Sequence, residues 1–567
     1  MKRFQKLLAI CLFACLLLNV TSCTSGGESS SGGSTAENST ASSSSEAASS
    51  TSSDTSTYLT DEKKTLTYYV SFSGNTLINS LDDSLLYQRL EELTNVHIEF
   101  ETPSGDAGQA FQLRITSDDL PDIFENFTGS YVGGPQGLID DGIAIRLNEL
   151  IDEYAPDYKA YREGNDTFRK DSILDSGDIV AFYMYAVDEE TETRLEDPWD
   201  GYYVRSDWLE ACNLEVPTTI DELTNVLRAF KETYNASAPL TWYIDGKDSY
   251  AYFLGAWNVG PGFFQQDGTV NYGPLTDEYK AYITQMKSWY DEGLLDAEYL
   301  TRDEAGVDVL LADNQTGVFN YSEVPEIVAV QEPIPFPTLE KGGTRFLGME
   351  QSISRAGLYS AFVSTSCEDP ELAVKWLNFG YTDLGKVVYN YGVEGTTYVL
   401  DDNSEPEWTD FVIVDGLEDD KWWAYCNGMY SRINGPFVKW FDAIPSYHIE
   451  SNPARENGTV WAEGIDYSAQ MPVVSLSTED NQRVSAIMAD IDTYVAESRN
   501  QFIMGLRPME EYDAFVQQIR DYGIEEAISI YQKAPDSGTP RRPPCFPLPA
   551  IDTPPPALTC LQVRPGN

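Results

Sequence analysis

The sequence predicts an α/β fold with at least two domains. Over residues 66–124, strand-like and helix-like segments alternate in the order strand, helix, strand, helix, strand, which favours a parallel sheet covered by helices. The chain has 567 residues, 42% of them apolar, and this length exceeds what a single hydrophobic core usually holds. No G-x-G-x-x-G motif follows the first strand, so we do not expect this sheet to bind a dinucleotide.

The elements of this first sheet are predicted from the spacing of apolar residues. Leu86, Leu90 and Leu93 recur at helical spacing, whereas residues 96–100 alternate as a strand does. The predicted elements are a strand at 66–72, a helix that includes 86–93, a strand at 96–100, a helix at about 109–117 and a strand at 120–124. Turn residues at 73–75 separate the first strand from the first helix.

Further strands and helices continue along the chain with their own start and stop signals. Thr219 and Glu222 have the spacing of a capping box, and Asp369-Pro370 places proline in the first turn of another helix. Strands are predicted at 178–185, 202–205, 316–321 and 361–366, and helices at 276–290 and 512–534.

The charge of the chain excludes several classes of function. Lys and Arg number 37 against 91 Asp and Glu, which gives a formal net charge of −54. Nucleic acid and anionic lipid both require a basic face, so neither is an expected partner. The only two histidines are His97 and His448, which argues against a histidine metal site and against a Ser-His-Asp or Cys-His enzyme. We expect no cofactor and no metal.

The N-terminus has the pattern of a lipoprotein signal peptide over residues 1–22. Lys2, Arg3 and Lys6 precede an apolar run at 7–18 that is too short to span a bilayer as a permanent helix. The run ends in Val20-Thr21-Ser22-Cys23, which resembles the bacterial lipobox, whose cysteine is acylated and becomes the new N-terminus. The alternative is an ordinary secretory peptide with an incidental cysteine.

Two terminal segments have compositions that cannot form a packed core. Residues 23–57 are almost entirely Ser, Thr, Gly, Ala and Glu, as in a flexible tether that follows a lipid at Cys23. Residues 535–567 are rich in proline, which favours neither helix nor central strand. This tail is either a genuine Pro-rich extension or a non-native one, and in neither case do we expect it to carry function.

Several short motifs together resemble one family. They occur in order at 113–123, 205–209, 216–223, 290–296, 369–376 and 390–395, with the sequences LRITSDDLPDI, RSDWL, VPTTIDEL, YDEGLLD, DPELAVKW and NYGVEG. In this order, behind a lipobox, they are similar to the long extracellular solute-binding lipoproteins (family 1) of bacterial ABC sugar importers. The chain departs from that pattern in its tail and in an acidic insert at 188–200.

The resemblance implies a two-lobed, periplasmic-binding-protein-like clamshell of type II, with lobes joined by a hinge that the chain crosses several times. Matching the motifs assigns 58–172 and 316–366 to lobe one, and 173–315 and 367–534 to lobe two. It further implies a monomeric binding protein without catalysis, anchored on the extracellular face of a Gram-positive membrane. Such a protein captures a sugar, here expected to be an oligosaccharide, and delivers it to a membrane permease.

Candidate ligand contacts are inferred from what sugar recognition needs. Pyranose faces pack on aromatic rings, hydroxyls need polar partners, and ligands bind past the carboxyl ends of strands. The candidates are Ser73, Asn75, Glu125, Asn126, Phe127, Tyr131, Asp248, Tyr250, Tyr252, Trp257, Tyr321, Trp422 and Trp423. Arg432 and Trp440 are weaker candidates.

Most of these residues also have a purely structural interpretation. Trp257, Tyr250 and Tyr252 have the character of core residues, and Glu125 with Asn126 has the character of a turn cap. The pair Trp422-Trp423 is attractive as a stacking platform, because adjacent residues rarely bury both rings. The acidic run at 188–197 lacks the spacing of a calcium loop and is better explained as a solvated surface.

Two other functions remain open at this point. Carboxylates are abundant enough to suggest a surface-anchored glycan-active hydrolase or lyase, and the chain could also be a peptide-binding lipoprotein. Product formation from candidate glycans would separate an enzyme from a binding protein.

Substitution of Cys23 tests the expected anchor. Cys23→Ala removes the thiol that would be acylated, so the protein should be released from membranes or remain unprocessed. Fractionation of cells that express the parent and the variant measures this. If the variant sediments with membranes as the parent does, Cys23 is not the anchor.

Overall fold

The computed structural model describes the folded body of the chain. The described residues are 58–72, 74–187, 201–242, 251–321, 330–343, 345–346, 359–415, 421–440, 443–445, 454–469, 471, 474 and 476–534. The N-terminal signal and tether, the acidic insert at 188–200 and the Pro-rich tail lie outside these residues.

The described chain alternates short strands with helices of one to seven turns. The strands are β1 Lys64–Val70, β2 Val96–Glu101, β3 Ile123–Glu125, β4 Phe182–Tyr183, β5 Tyr185–Val187, β6 Gly201–Arg205, β7 Leu240–Trp242, β8 Phe263–Gln266, β9 Thr269–Tyr272, β10 Val318–Tyr321, β11 Gln331–Ile334, β12 Arg345–Phe346, β13 Ser360–Val363, β14 Tyr398–Leu400, β15 Pro406–Trp408, β16 Val438–Trp440 and β17 Ile465–Asp466. The helices are α1 Leu85–Thr94, α2 Ala107–Ser117, α3 Gly134–Asp140, α4 Asn148–Tyr154, α5 Pro156–Gly164, α6 Asp166–Asp171, α7 Ser206–Cys212, α8 Ile220–Tyr234, α9 Ala251–Leu254, α10 Asp277–Asp291, α11 Glu304–Ala312, α12 Pro370–Phe379, α13 Asp383–Tyr391, α14 Ala454–Ala462, α15 Thr478–Ile503, α16 Tyr512–Asp521 and α17 Ile524–Lys533.

The first sheet confirms the parallel α/β arrangement predicted from residues 66–124. Its five strands lie in the order β2-β1-β3-β13-β4, and β1 pairs in parallel with both β2 and β3. Strand β13 lies between β3 and β4 and runs antiparallel to both, which leaves β4 at the edge of the sheet. Tyr68, Val70, Ile123, Phe124 and Phe362 are buried there, as expected for strands covered by helices on both faces.

A second sheet of four strands supports a separate core. Its order is β11-β6-β10-β7, with β10 parallel to β7 and antiparallel to β6. Helix α8 packs its buried Leu223, Leu227 and Phe230 against this core, and Thr219 caps the helix by accepting from the backbone N–H of Glu222 at 3.2 Å. The capping box predicted at 219–222 therefore starts a helix, and the Glu222 carboxylate also accepts from the backbone N–H of Thr218 at 2.9 Å.

The lobe boundaries expected from the sequence are wrong at three places. Residues 318–321, expected in lobe one, form β10 between β6 and β7 of the second sheet. Residues 182–183, expected in lobe two, form β4 at the edge of the first sheet. Residues 370–440, also expected in lobe two, contribute buried side chains such as Trp376 and Phe437 to the first core. Strand pairing decides lobe membership, and a short buried strand carries no sequence signal of its partner.

The described residues belong alternately to the two lobes, so the chain changes lobe three times, at 188–200, at 347–358 and between 440 and 454, and the first two of these connections lie outside the described residues. These changes fall between β5 and β6, between β12 and β13, and between β16 and α14. The two lobes also meet directly, because Asn481 of α15 donates to the backbone carbonyl of Val132 at 2.8 Å and Thr478 donates to Asp140 at 2.7 Å. Repeated crossing is the arrangement that the family resemblance implies.

The C-terminal helix predicted at 512–534 is two helices. Helix α16 ends at Asp521 and α17 begins at Ile524, because Gly523 between them has a φ of 102°. Such a backbone conformation is open to glycine and ends a regular helix.

A close approach at Gly317 gives a direct test of the second core. A Cβ at this position would lie 2.4 Å from the Phe230 ring and 2.6 Å from the Trp208 ring. Gly317→Ala should therefore overpack the core and lower the free energy of unfolding by about 1–3 kcal/mol. Urea denaturation measures the loss. Gly262→Ala, where a Cβ meets nothing within 4 Å, is the control and should change little. Equal stability of the two variants would contradict this packing.

Candidate functional site

The carboxyl edge of the first sheet is where the sequence places most of its candidate ligand contacts. Strands β1 and β3 end there at Val70 and Glu125, and β13 enters the sheet there at Ser360. Open α/β sheets bind ligands past the carboxyl ends of their strands. We call the group formed by Asn126, Tyr359, Trp422 and Trp423, with the residues that hold them, the edge site.

A buried ion pair lies beneath the edge site. Arg432 donates through Nη2 to Oε1 of Glu125 at 2.7 Å and through Nη1 to the hydroxyl of Tyr87 at 2.7 Å. The second carboxylate oxygen of Glu125 accepts from the hydroxyl of Tyr68 at 2.7 Å. The side chains of Glu125 and Arg432 are 1% and 7% exposed. Glu125, expected as a ligand contact, is therefore a structural residue whose oxygens are already occupied.

Burial and the pair together shift the titration of the surrounding groups. Burial raises the pKa of the Tyr87 hydroxyl to about 12, although the Arg432 charge opposes the rise. Burial also raises the pKa of Tyr68, with a further contribution from the Glu125 charge. Burial opposes the charge on Arg432, but Glu125, Tyr87 and Tyr68 together outweigh it and the pKa of the guanidinium rises. The two tyrosines therefore stay protonated and the arginine stays charged at all physiological pH values.

Asn75 holds a segment of chain rather than an exposed ligand position. Its amide nitrogen lies 2.9 Å from the carbonyl of Asn427 and 3.4 Å from that of Ala424, while its oxygen accepts from the backbone of Leu77 and Ile78. The Ser84 hydroxyl donates to the carbonyl of Gly428 in the same segment. All the amide hydrogen-bonding atoms of Asn75 are in use, so its expected role as a ligand contact is corrected to an anchor for residues 424–429.

The anchored segment presents the pair Trp422–Trp423. Their ring centroids lie 5.7 Å apart with an interplanar angle of 78°. Trp422 packs against a third cluster, which consists of Met184, Ala186, Cys426, Ile433 and Ile444. Trp423 is 48% exposed. Of the ten tryptophans that the structure describes, eight are buried, so a tryptophan this exposed is exceptional in the described chain.

Two further candidates lie in the loop that follows β3. Asn126 has a φ of 68°, and its side-chain oxygen is buried without a hydrogen-bond partner among the described residues. Tyr131 donates from its hydroxyl to Asp141 at 2.6 Å, and its ring lies against Gly133 and Gly137. Burial, followed by the hydrogen bond to Asp141, raises the pKa of Tyr131 to about 12. Tyr131 thus fixes the loop, and Asn126 keeps an unused acceptor.

Three aromatic candidates pack within the two cores, and their expected role as ligand contacts stays a prediction. Phe127 is stacked on Phe111 with ring centroids 4.9 Å apart and belongs to the first core. Tyr252 is stacked on Phe336 at 5.1 Å, and Trp257 is 9% exposed, both within the second core. Their aromatic character reflects packing demands, which the sequence pattern cannot separate from ligand stacking.

The remaining candidates cannot be placed as side chains. Ser73, Asp248 and Tyr250 lie outside the described residues, as do Cys23 and the acidic run at 188–197. The backbone of Tyr321 ends β10 in the second sheet, not in lobe one as expected. Within the described residues, no three His, Cys, Asp or Glu side chains are grouped so that they could hold a metal ion. None of the described helices combines the length and the apolar character needed to cross a bilayer.

From the sequence, Arg432 is only a weaker candidate for the site, and Tyr359 is not among the candidates. Arg432 is 307 residues from Glu125, so no local spacing could have paired them. Tyr359 has a φ of 50°, a property of the folded backbone that the residue type does not signal.

Two α/β lobes between which the chain passes three times are the architecture of the two-lobed solute-binding proteins. The chain belongs to the family of bacterial extracellular solute-binding proteins, whose family model matches residues 79–386, more than half of its length. The sequence resemblance to this family is thus confirmed.

Relatives and a solved structure agree with this family and fold. The fructooligosaccharide ABC transporter substrate-binding protein FusA of Streptococcus pneumoniae is 24% identical over 518 residues, which is 84% of this chain and 91% of FusA. Lipoprotein LipO of Bacillus subtilis is 22% identical over 481 residues, 80% of this chain and 86% of LipO. The structure of S. pneumoniae FusA in complex with kestose matches with a TM-score of 0.68 at 21% identity, covering 83% of this chain and 98% of that one.

Neutralising Glu125 tests the role of the buried pair. Glu125→Gln leaves the Arg432 charge buried without its counter-ion, so the free energy of unfolding should fall by about 3–5 kcal/mol. Urea denaturation measures this loss. Glu149→Gln, which breaks an exposed ion pair with Arg146, is the control and should change stability little.

The double variant Glu125→Gln/Arg432→Met removes both charges and should recover part of the loss. A Glu125→Gln protein as stable as the parent would show that the pair does not hold this edge.

Proposed function

We propose that this chain is a lipid-anchored extracellular binding protein that captures an oligosaccharide and delivers it to an ABC importer. Membership of the solute-binding family supports the binding function, and the FusA relative is named for fructooligosaccharide transport. The LipO relative, named a lipoprotein, supports the anchor expected at Cys23. FusA is named a substrate-binding protein, and the family model describes solute-binding proteins, which favours a protein without catalysis over the glycan-active enzyme.

The exposed ring of Trp423 carries the saccharide part of this proposal. Burying an aromatic face is favourable, and most tryptophans of the chain are buried. The Trp423 side chain is 48% exposed, so its indole leaves apolar surface in water that a ligand could cover. Pyranose and furanose rings present C–H faces that pack on such an indole. The perpendicular Trp422 ring supports Trp423 from behind and limits its rotamers.

Capture proceeds by lobe closure in this proposal. The lobes close on the ligand by a hinge motion, and Thr478 and Asn481 are described residues of the second lobe that hydrogen-bond to the first. A ligand shifts the population toward the closed form only to the extent that it binds that form more tightly.

A ligand screen tests the function directly. Thermal shift with kestose, maltotriose, xylotriose and trigalacturonate, followed by calorimetric titration of those that act, should identify at least one binder, because a ligand specific for the native state raises its stability by RT ln(1 + [L]/Kd). Chromatography of the same mixtures should show unchanged sugars. Shortened products would favour the enzyme, and no shift with any oligosaccharide would contradict the proposal.

Two tryptophan variants separate ligand stacking from packing. Trp423→Ala should weaken binding of the identified sugar roughly 5- to 150-fold in Kd with a nearly unchanged melting temperature. Trp257→Ala should instead lower stability by about 3–5 kcal/mol through a cavity in the second core, with binding by the folded protein unchanged. Calorimetric titration and thermal melts on both proteins measure this. The opposite pattern would return Trp257 to the site and remove Trp423.

A further inference from the structure

Tyr359 has a backbone conformation that tyrosine rarely adopts. Its φ is 50°, in the left-handed region where a bulky side chain clashes with its own backbone. Among the described non-glycine residues with positive φ, most are Asn or Asp, which tolerate this region, and Tyr359 is the only aromatic one. Strained conformations persist where the surrounding structure enforces them, and they cluster at ligand-binding positions.

The hydrogen bonds around Tyr359 place this conformation at the carboxyl edge of the first sheet. The carbonyl of Tyr359 accepts from the backbone N–H of Met184 at 3.0 Å, just past the end of β4. The carbonyl of the next residue, Ser360, accepts from the backbone N–H of Asn126 at 2.7 Å, just past the end of β3. Tyr359 therefore lies between the loops that follow two strands, and neither loop can move without breaking a backbone hydrogen bond.

Asn126 contributes an unused hydrogen-bond acceptor at the same place. Its side-chain oxygen is buried and has no partner among the described residues, while its amide nitrogen lies 3.5 Å from Oε1 of Glu125. A buried amide oxygen without a donor costs free energy, and native structures rarely retain one without a reason. A sugar hydroxyl is a donor of the right size and chemistry to satisfy it.

Tyr359 and the tryptophan pair share one supporting cluster. Tyr359 and Trp422 are both partly buried, and both pack against the third cluster of Met184, Ala186, Cys426, Ile433 and Ile444. Backbone hydrogen bonding at Ser360, the shared cluster and the Trp422–Trp423 ring contact thus link Asn126, Tyr359 and Trp423, which come from three separate stretches of chain.

We propose that Asn126 and Tyr359 form a second saccharide subsite beside Trp423. In this subsite the amide oxygen of Asn126 accepts a hydroxyl of one sugar unit, and the ring of Tyr359 contacts that unit, while the neighbouring unit stacks on Trp423. This inference rests on the proposed function, and it makes the ligand an oligosaccharide of at least two units with a free hydroxyl on the unit bound by Asn126.

Substitutions by glycine test the subsite, because glycine adopts positive φ without strain. Tyr359→Gly removes the ring and relieves the backbone, so calorimetry with the sugar identified by the screen should show roughly 5- to 150-fold weaker binding, while the melting temperature changes little. Asn126→Gly should weaken binding about 10-fold through the lost hydrogen bond. Asn235→Gly, at a left-handed helix end of the second lobe, is the matched control and should bind as the parent does.

Titration with the corresponding monosaccharide distinguishes the subsite from Trp423 alone. Trp423→Ala should weaken binding of both the oligosaccharide and the monosaccharide that stacks on it, whereas Tyr359→Gly should weaken only the oligosaccharide. If Tyr359→Gly and Asn126→Gly bind the oligosaccharide as tightly as the parent, the subsite is refuted while the proposed function stands. If the parent binds none of the sugars, the proposed function fails, and the subsite fails with it.

Discussion

The ion pair between Glu125 and Arg432 is the interaction on which the edge site depends. It joins the end of β3 to a segment more than three hundred residues later, while Tyr68 donates to the Glu125 carboxylate and Tyr87 accepts from the Arg432 guanidinium. Burying two charges is costly, and a hydrophobic replacement of similar volume is often at least as stable. The ion pair instead serves to position residues 421–440, because its directional hydrogen bonds fix this segment over the sheet in one register. That segment carries Trp422 and Trp423.

The anchoring of this segment explains how an exposed tryptophan can be held still. Asn75 and Ser84 bind backbone carbonyls on one side of the pair, and the third cluster supports Trp422 on the other. A ligand that stacks on a ring already fixed in place loses less conformational entropy than one that must order it. In the proposed function, Asn75, Ser84 and the ion pair therefore act through the aromatic surface that they hold, whereas Asn126 contacts the sugar directly.

The sequence was sufficient for the local structure and for the family, but not for the residues that form the site. The helix cap at Thr219 and the alternation at 96–100 are local signals, and both elements form as expected. The position of β10 and the partner of Glu125 depend on contacts between residues distant in sequence, which no local pattern reveals. Phe127 and Trp257 illustrate a second limit, since core packing and sugar stacking select the same aromatic residues.

A crystal structure with the oligosaccharide that produces the largest thermal shift tests the central claim most directly. The account predicts one sugar ring against Trp423 at the carboxyl edge of the first sheet, with the ion pair of Glu125 and Arg432 unchanged beneath it. A sugar bound away from this edge, with Trp423 still exposed to solvent, would contradict the account.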